Sequence, residues 1–122
     1  MNKGDANHRQ DLRERTKRFA LSVVAMYVHL PQNPAVAVMG RQCLRSGTSV
    51  GAHYREACRA RSDAEFISKL EGALQELDET AYWLELLDES RLCTIPNVEA
   101  LHKEVDELIR MFVTMVRNVK GG

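Results

Sequence analysis

The chain has 122 residues, of which 44% are hydrophobic, and its 17 basic and 17 acidic side chains cancel to a net charge of zero. This length suits one domain that buries a core without disulfides or structural metals. Apolar residues never form the run of about eighteen that a membrane-spanning helix needs, and the first residues lack the apolar segment of a secretory signal. We therefore expect a cytoplasmic protein without a membrane partner.

An odd number of cysteines without a CxxC pair argues against a disulfide framework and predicts reduced thiols at Cys43, Cys58 and Cys93.

The charges are segregated along the chain although they cancel overall. Residues 1–61 contain eleven basic and four acidic residues, which gives a net charge of +7, and residues 62–122 carry the opposing −7. The basic half predicts a surface that attracts polyanions. The alternative is that basic helices pack beside acidic ones and help to set the topology.

Apolar residues that step by three and four positions predict a first helix over residues 12–30. The pattern includes Leu12, Phe19, Val23 and Leu30, and Pro31 ends it. Residues 1–10 are expected to be frayed, as is common at the ends of domains.

A second helix is predicted over residues 34–60. Asn33 and Pro34 form a cap and a first-turn proline, after which apolar or small residues keep the same step. Two mid-helix glycines, Gly47 and Gly51, each cost about 1 kcal/mol relative to alanine, so tertiary contacts must compensate. Their GxxxG spacing predicts the close approach of another helix, and we assign the pair to an oligomer interface. A phosphate-binding glycine loop is discounted, because such loops follow a strand and precede a helix.

Two further helices complete the predicted fold. Ser62 and Glu65 have the spacing of a capping box, which opens a third helix over residues 63–89. A loop follows from Ser90 to Ile95, and Pro96 precedes a fourth helix over residues 97–119. Short connections between four such helices predict one all-α domain over residues 1–122, folded as an antiparallel up-down-up-down four-helix bundle.

Several segments of the second and third helices carry a family resemblance, namely Gly40 to Gln42, Leu44 to Ala52, Tyr54 to Ala57, Ser62 to Leu70 and Tyr82 to Leu87. From about residue 12 to residue 119, the chain resembles a bacterial four-helix-bundle family that includes proteins encoded in intervening sequences of large-subunit ribosomal RNA. The resemblance implies a ring-like homopentamer without enzymatic activity. It also implies kinship with the accessory variability proteins of diversity-generating retroelements, which bind reverse transcriptase and nucleic acid. His53 departs from the family pattern, in which asparagine is more common.

Basic side chains repeat at helical steps along the first two helices. Because arginine forks match phosphate groups, these residues predict contact with an RNA or DNA backbone. The alternative is that they pair with acidic helices of the same bundle or of a neighbouring subunit. No exposed aromatic residues alternate with them, so nucleic-acid binding would be nearly blind to sequence. The candidate nucleic-acid-binding residues are Arg9, Arg13 and Lys17 on the first helix and Arg41, Arg45, Arg55, Arg59 and Arg61 on and after the second.

The end of the third helix is apolar around more of its circumference than one bundle readily buries. Tyr82 and Leu86 stand one turn apart on one line, and Trp83 flanks the buried seam. A second interface is the simplest cause, so we assign Tyr82, Trp83 and Leu86 to the oligomer interface. Cover by the neighbouring loop is the alternative.

Glu99 and His102 have the Glu-x-x-His spacing of di-iron bundles. A complete site needs a second such pair, whereas His53 and Glu56 occur in the reverse order, and Leu101 takes an inward position beside the first pair. We therefore expect no metal, no cofactor and no enzymatic activity.

Together these features predict a non-catalytic homo-oligomeric accessory protein. Its arginine-rich faces would bind nucleic acid, a nucleic-acid enzyme such as a retroelement reverse transcriptase, or both. The alternative is a purely structural homo-oligomeric scaffold whose arginines are used between subunits.

Overall fold

The computed structural model describes residues 3–121, with side chains from residue 9 onward. It confirms the all-α four-helix bundle, because the described residues form four helices and no strand. Where neighbouring helices contact each other, residue numbers rise along one helix and fall along the other, as an up-down-up-down bundle requires. The helices are α1 (Lys3–Val28), α2 (Pro34–Cys58), α3 (Asp63–Glu89) and α4 (Val98–Gly121).

Helix α1 begins at Lys3, well before the predicted start near residue 12. The expected fraying is therefore corrected for residues 3–10, while residues 1 and 2 lie outside the described part of the chain. Arg9 shows what holds this end: the Tyr54 hydroxyl donates a hydrogen bond to its carbonyl oxygen at 3.3 Å, and its guanidinium lies 5.5 Å from the centre of the Phe66 ring. Tertiary contacts thus extend a helix that its own apolar pattern does not predict.

Side chains cap α2 and α3 at their first turns. The Asn33 side chain accepts hydrogen bonds from the backbone N–H groups of Ala35 and Val36 at 2.9 and 3.2 Å. The Ser62 hydroxyl accepts one from the backbone N–H of Glu65 at 3.1 Å. These bonds satisfy donors that would otherwise have no partner, and they fix the points where the two helices begin.

The core is a continuous apolar seam to which all four helices contribute. Tyr54 stacks on Phe112 at 5.6 Å between ring centres and joins α2 to α4 across the middle of the bundle. Between α2 and α3, the Thr80 hydroxyl donates to the Ser46 hydroxyl at 2.8 Å, so two buried polar groups satisfy each other. The largest fully buried side chains are Tyr54, Phe112, Leu12, Leu70, Leu77, Leu84, Leu87, Leu108, Val23, Val36, Val50 and Val105.

The two glycines of the GxxxG pair face α1 of the same chain. A Cβ atom on Gly47 would lie 2.9 Å from a methyl carbon of Val23, and one on Gly51 would lie 3.1 Å from the hydroxyl oxygen of Thr16. The close helix approach that the spacing predicts is therefore present, but within the bundle. The assignment of Gly47 and Gly51 to an oligomer interface is wrong, because α1 already occupies the surface that they expose.

The pairs of neighbouring helices do not pack equally closely. Helices α2 and α3 pack against each other extensively, whereas α1 and α4 make few close approaches. Arg15 joins them through Glu104 and Glu107, and a cavity that is open to solvent lies on each side of this point. None of the helices, over the residues described, combines the length and apolarity needed to cross a membrane.

Candidate nucleic-acid interface

The register of α1 against α2 brings the two predicted basic lines together. Thr16 lies opposite Gly51, and the backbone of Arg9 lies beside the Tyr54 hydroxyl. Arg13, midway between Arg9 and Thr16, is therefore level with the turn of α2 that carries Arg55. We call the outer surface of these two helices the α1–α2 face.

Three of the predicted cations have a carboxylate partner in their own chain. Lys17 lies 3.9 Å from Glu14, and Arg61 lies 3.9 Å from Glu65. Both pairs join side chains on the same stretch of helix or cap, and exposed pairs of this kind contribute little to stability. Their cations are still able to turn toward a phosphate group.

Arg45 differs because it is held by two carboxylates of α3. Its guanidinium lies 3.2 Å from Glu76 and 3.2 Å from Glu79, and the Glu76 side chain is only 11% exposed. Burial by itself raises the pKa of Glu76, but the neighbouring Glu79 and Ser49 side chains and the charge of Arg45 outweigh burial and lower it. The proximity of Glu76 raises the pKa of Glu79. For Arg45, the structure therefore supports pairing within the bundle, which leaves little charge for a phosphate.

Of the five other arginines of the predicted site, Arg9 lies over the Phe66 ring, and the remaining four have no such partner among the described side chains. Among the side chains that the structure describes, no carboxylate lies within 4.0 Å of the guanidinium groups of Arg13, Arg41, Arg55 and Arg59. Arg41 and Arg59 are exposed, and Arg13 and Arg55 are partly exposed. The α1–α2 face thus presents to solvent one guanidinium group of α1 and three of α2 that form no close ion pair among the described side chains, while the charge of Arg59 helps to lower the pKa of the nearby Glu56.

Arg15 makes an interhelix contact that the sequence analysis missed. It donates hydrogen bonds to Glu104 at 2.7 and 2.8 Å and to Glu107, and thereby joins α1 to α4. The bond to Glu104 raises the pKa of Arg15 above its ordinary value. A signal was present, since Glu104 and Glu107 stand one turn apart on α4 and make a two-carboxylate site for one guanidinium.

At the aromatic end of α3 only Tyr82 of the three predicted interface residues is exposed, and the role of this end in an interface stays a prediction. Tyr82 is 54% exposed and meets the edge of Trp83 at 5.2 Å between ring centres, while Trp83 and Leu86 are half-buried. A second exposed apolar stripe on α1 was not predicted from the sequence. It consists of Leu21, Val24 and Val28, which are 57%, 37% and 65% exposed.

Within the described residues, no group of three histidine, cysteine or acidic side chains comes close enough to hold a metal ion. Glu99 is exposed and His102 is half-buried at the start of α4. The di-iron arrangement considered above therefore has no assembled ligand set here.

The profile of the 23S rRNA-intervening sequence protein family matches residues 9–114. The chain belongs to this family. A crystal structure of a protein of unknown function from the S23 ribosomal protein family of Bacteroides thetaiotaomicron is similar to it, with 35% sequence identity and a TM-score of 0.78. The similarity covers 89% of this chain and 97% of that one. A search of curated proteins found no match.

The part of this 23S rRNA-intervening sequence protein that matches the family contains the α1–α2 face and the Arg15 contact. The similar crystal structure supports the bundle architecture and is itself described as having no known function. What the α1–α2 face does must therefore be argued from its own charges and contacts.

Proposed function

We propose that the α1–α2 face binds the phosphate backbone of RNA or DNA without reading its sequence. The observation that supports this proposal is the set of four arginines, Arg13, Arg41, Arg55 and Arg59, that lack a carboxylate within 4.0 Å among the described side chains. Unneutralised arginines one or two turns apart repel each other, and a polyanion relieves that repulsion.

Arginine suits this task because its planar guanidinium donates two parallel hydrogen bonds to a phosphate. Each phosphate that is neutralised releases condensed counterions, so the affinity falls steeply as the salt concentration rises. The two lines of arginines contain no exposed aromatic side chain between them, so contacts to base edges have no support on this face.

The test is fluorescence anisotropy with a labelled RNA or DNA duplex at low and physiological salt. We expect Arg55→Gln with Arg59→Gln to weaken binding at least tenfold and to reduce the slope of log affinity against log salt by about two. The matched control is Arg91→Gln with Arg117→Gln, which removes the same charge from exposed positions away from the α1–α2 face. Equal losses in both variants, or no binding by the unaltered protein at low salt, would overturn the proposal.

A nucleic-acid enzyme such as a retroelement reverse transcriptase is the further partner in this proposal. Its support is the family resemblance, which implies kinship with accessory proteins that bind reverse transcriptase. Co-elution of the purified protein with a reverse transcriptase encoded beside its gene would test it, with and without nuclease treatment to separate direct contact from a shared RNA.

The second candidate function is self-assembly, and the exposed stripe of Leu21, Val24 and Val28 favours it. Apolar side chains in a row on a surface helix mark interaction sites more often than isolated ones do. The opposite charges of the two halves of the chain also suit a head-to-tail contact, which closes into a ring such as the homopentamer implied by the resemblance.

Solution mass separates the two candidates. We expect Leu21→Ser with Val28→Ser to lower the mass to that of a monomer, and Val113→Ser on α4, which is 37% exposed, to serve as the control. In a pure scaffold, Arg55→Gln with Arg59→Gln would also dissociate the oligomer. In a nucleic-acid-binding oligomer, the same two changes leave the mass intact and abolish only the binding.

A further inference from the structure

A cavity of about 820 Å³ lies at one end of the bundle, between the α2–α3 connection and the C-terminal half of α4. Three guanidinium groups from different parts of the chain line it, namely those of Arg9, Arg61 and Arg110. The described lining contains one carboxylate, that of Asp63, and Arg61 also lies 3.9 Å from Glu65. Positive charge therefore exceeds negative charge around this cavity.

The remaining surface of the cavity is largely apolar. Phe66 lines one side, with the Arg9 guanidinium over its ring at 5.5 Å, and Met111, Met115 and Val119 of α4 line the other. Methionine side chains are flexible and polarisable, so they adapt to flat or irregular ligands. The lining of the cavity thus combines three cations with aromatic, thioether and aliphatic side chains, and Thr114 and Asn118 of α4 add polar groups.

We propose that this cavity receives one unstacked nucleotide of a single-stranded RNA or DNA. Its phosphate would contact the arginines, and its base would enter between Phe66 and the methionines. The volume lies within the roughly 300–1,000 Å³ of small-molecule sites. This inference rests on the proposed function, because Arg9 and Arg61 also belong to the predicted nucleic-acid-binding set and place the cavity beside the α1–α2 face.

The geometry favours a single strand over a duplex. Bases in a duplex are stacked and paired, and only an unpaired base can leave its neighbours to enter a cavity. One face of the Phe66 ring lies under the Arg9 guanidinium, so an inserted base would stack on that guanidinium plane or contact the ring elsewhere, and every base can do so because each has a π-face. The cavity therefore adds a preference for strand ends and unpaired segments without adding sequence specificity.

The test compares a labelled 12-nucleotide oligothymidine with a 12-base-pair duplex at low salt. Two variants alter the cavity in different ways. Phe66→Leu keeps an apolar side chain at this position but removes the aromatic ring. Arg110→Gln removes a cation that lies outside the α1–α2 face. We expect each variant to lower the affinity for the single strand about tenfold and to leave the affinity for the duplex unchanged.

Matched controls are Tyr82→Leu, an exposed aromatic residue of α3 outside the cavity, and Arg117→Gln, an exposed arginine two turns beyond Arg110 on α4. Both should leave the single-strand affinity unchanged. Duplex binding that depends on Arg55 and Arg59, combined with single-strand binding that is insensitive to Phe66 and Arg110, would overturn this inference while the proposed function stands. Absence of binding to either probe would overturn both.

The competition experiment uses adenosine monophosphate and dodecyl phosphate against the bound oligothymidine. Competition by the nucleotide that weakens in Phe66→Leu supports the proposal. Competition by dodecyl phosphate alone would assign the cavity to an anionic amphiphile instead and would overturn it.

Discussion

Gly47 and Val23 meet where α1 and α2 approach each other so closely that only a hydrogen atom fits on the glycine. A Cβ atom there would lie 2.9, 3.0 and 3.2 Å from three side-chain carbons of Val23, which is fully buried. A β-branched side chain has little freedom to turn away, so the valine cannot yield. Gly40 is different, because the nearest obstacle to a Cβ there is the terminal methyl carbon of Leu30 at 2.7 Å, on a flexible and partly exposed side chain, and the ring of the half-buried Tyr27 follows at 3.3 Å.

This contrast predicts which of two alanine substitutions lowers the free energy of unfolding more. We expect Gly47→Ala to lower the free energy of unfolding by about 2 kcal/mol, because the cost of overpacking exceeds the gain in helix propensity. Gly40→Ala should stay within about 0.5 kcal/mol of the unaltered protein, because Leu30 can move and the propensity gain offsets the adjustment. Urea unfolding monitored by circular dichroism measures both. Equal effects would show that the α1–α2 contact is not rigid.

The ion pair between Arg45 and Glu76 predicts a pH-dependent loss of stability. Arg45→Gln leaves the Glu76 carboxylate largely buried without its cation, and we expect a loss of about 2 kcal/mol at pH 7. The lowered pKa of Glu76 means that its carboxylate contributes stability above its unfolded pKa of about 4.3, and that this contribution disappears as the pH falls through the lower folded value. The loss caused by Arg45→Gln should therefore shrink below about pH 4.

The control for this prediction is Arg41→Gln, one turn away on the same helix and without a carboxylate within 4.0 Å among the described side chains. It should change the stability by less than about 0.5 kcal/mol at either pH. A loss in Arg45→Gln that stays the same at pH 7 and pH 3.5 would contradict the electrostatic account and point to lost packing of the arginine stem.

His53 of α2 and Gly72 of α3 lie close together, which predicts that substitutions at the two positions have coupled effects on the free energy of unfolding. A Cβ on Gly72 would lie 3.0 Å from Nδ1 and 3.1 Å from Cε1 of His53, and that Nδ1 is buried without a hydrogen-bond partner among the described residues. Gly72→Ala should therefore destabilise the protein by about 1–2 kcal/mol when the ring is present. In a His53→Ala background, the same change should stabilise it, because only the helix propensity gain remains. A double-mutant cycle by urea unfolding measures the coupling, and additive effects would show that the ring is not the obstacle.

The features that the sequence predicts well are those that depend on nearby residues. The caps formed by Asn33 and Ser62 and the three-four step of apolar residues act within a few positions, so they specify helices without knowledge of the fold. The start of α1 is not of this kind. The contacts described near that end, between Arg9 and the side chains of Tyr54 and Phe66, join residues that lie far apart in the chain.

The candidate site shows the same limit. Sequence spacing places Arg41, Arg45, Arg55 and Arg59 on one line of α2, but it does not show which of them α3 neutralises. Glu76 and Glu79 are level with Arg45 only because of the register between the two helices. The GxxxG pair likewise predicts a close helix neighbour without showing whether that neighbour is α1 or another subunit.

The Arg15 contact predicts how the bundle opens. Helices α1 and α4 approach each other little elsewhere, and the side chains of Arg15 and Glu104 are 28% and 27% exposed, so the pair is partly shielded from water. We expect Arg15→Gln to lower the stability by about 1–2 kcal/mol at low salt, since a guanidinium that bonds two carboxylates is stronger than an isolated surface pair. Arg18→Gln, an exposed position on the same helix without a carboxylate within 4.0 Å among the described side chains, is the control.

Hydrogen exchange shows whether this loss is local. If the contact closes the seam between α1 and α4, amides along these two helices should exchange several-fold faster in Arg15→Gln, while those of α2 and α3 change less, because their mutual packing is untouched. Added salt should speed exchange in α1 and α4 of the unaltered protein, because it screens the ion pairs of Arg15. It should change exchange little in Arg15→Gln, where these ion pairs are already absent. Equally faster amide exchange in all four helices would mean that the bundle unfolds only as a whole. Arg15 would then not hold α1 and α4 together locally.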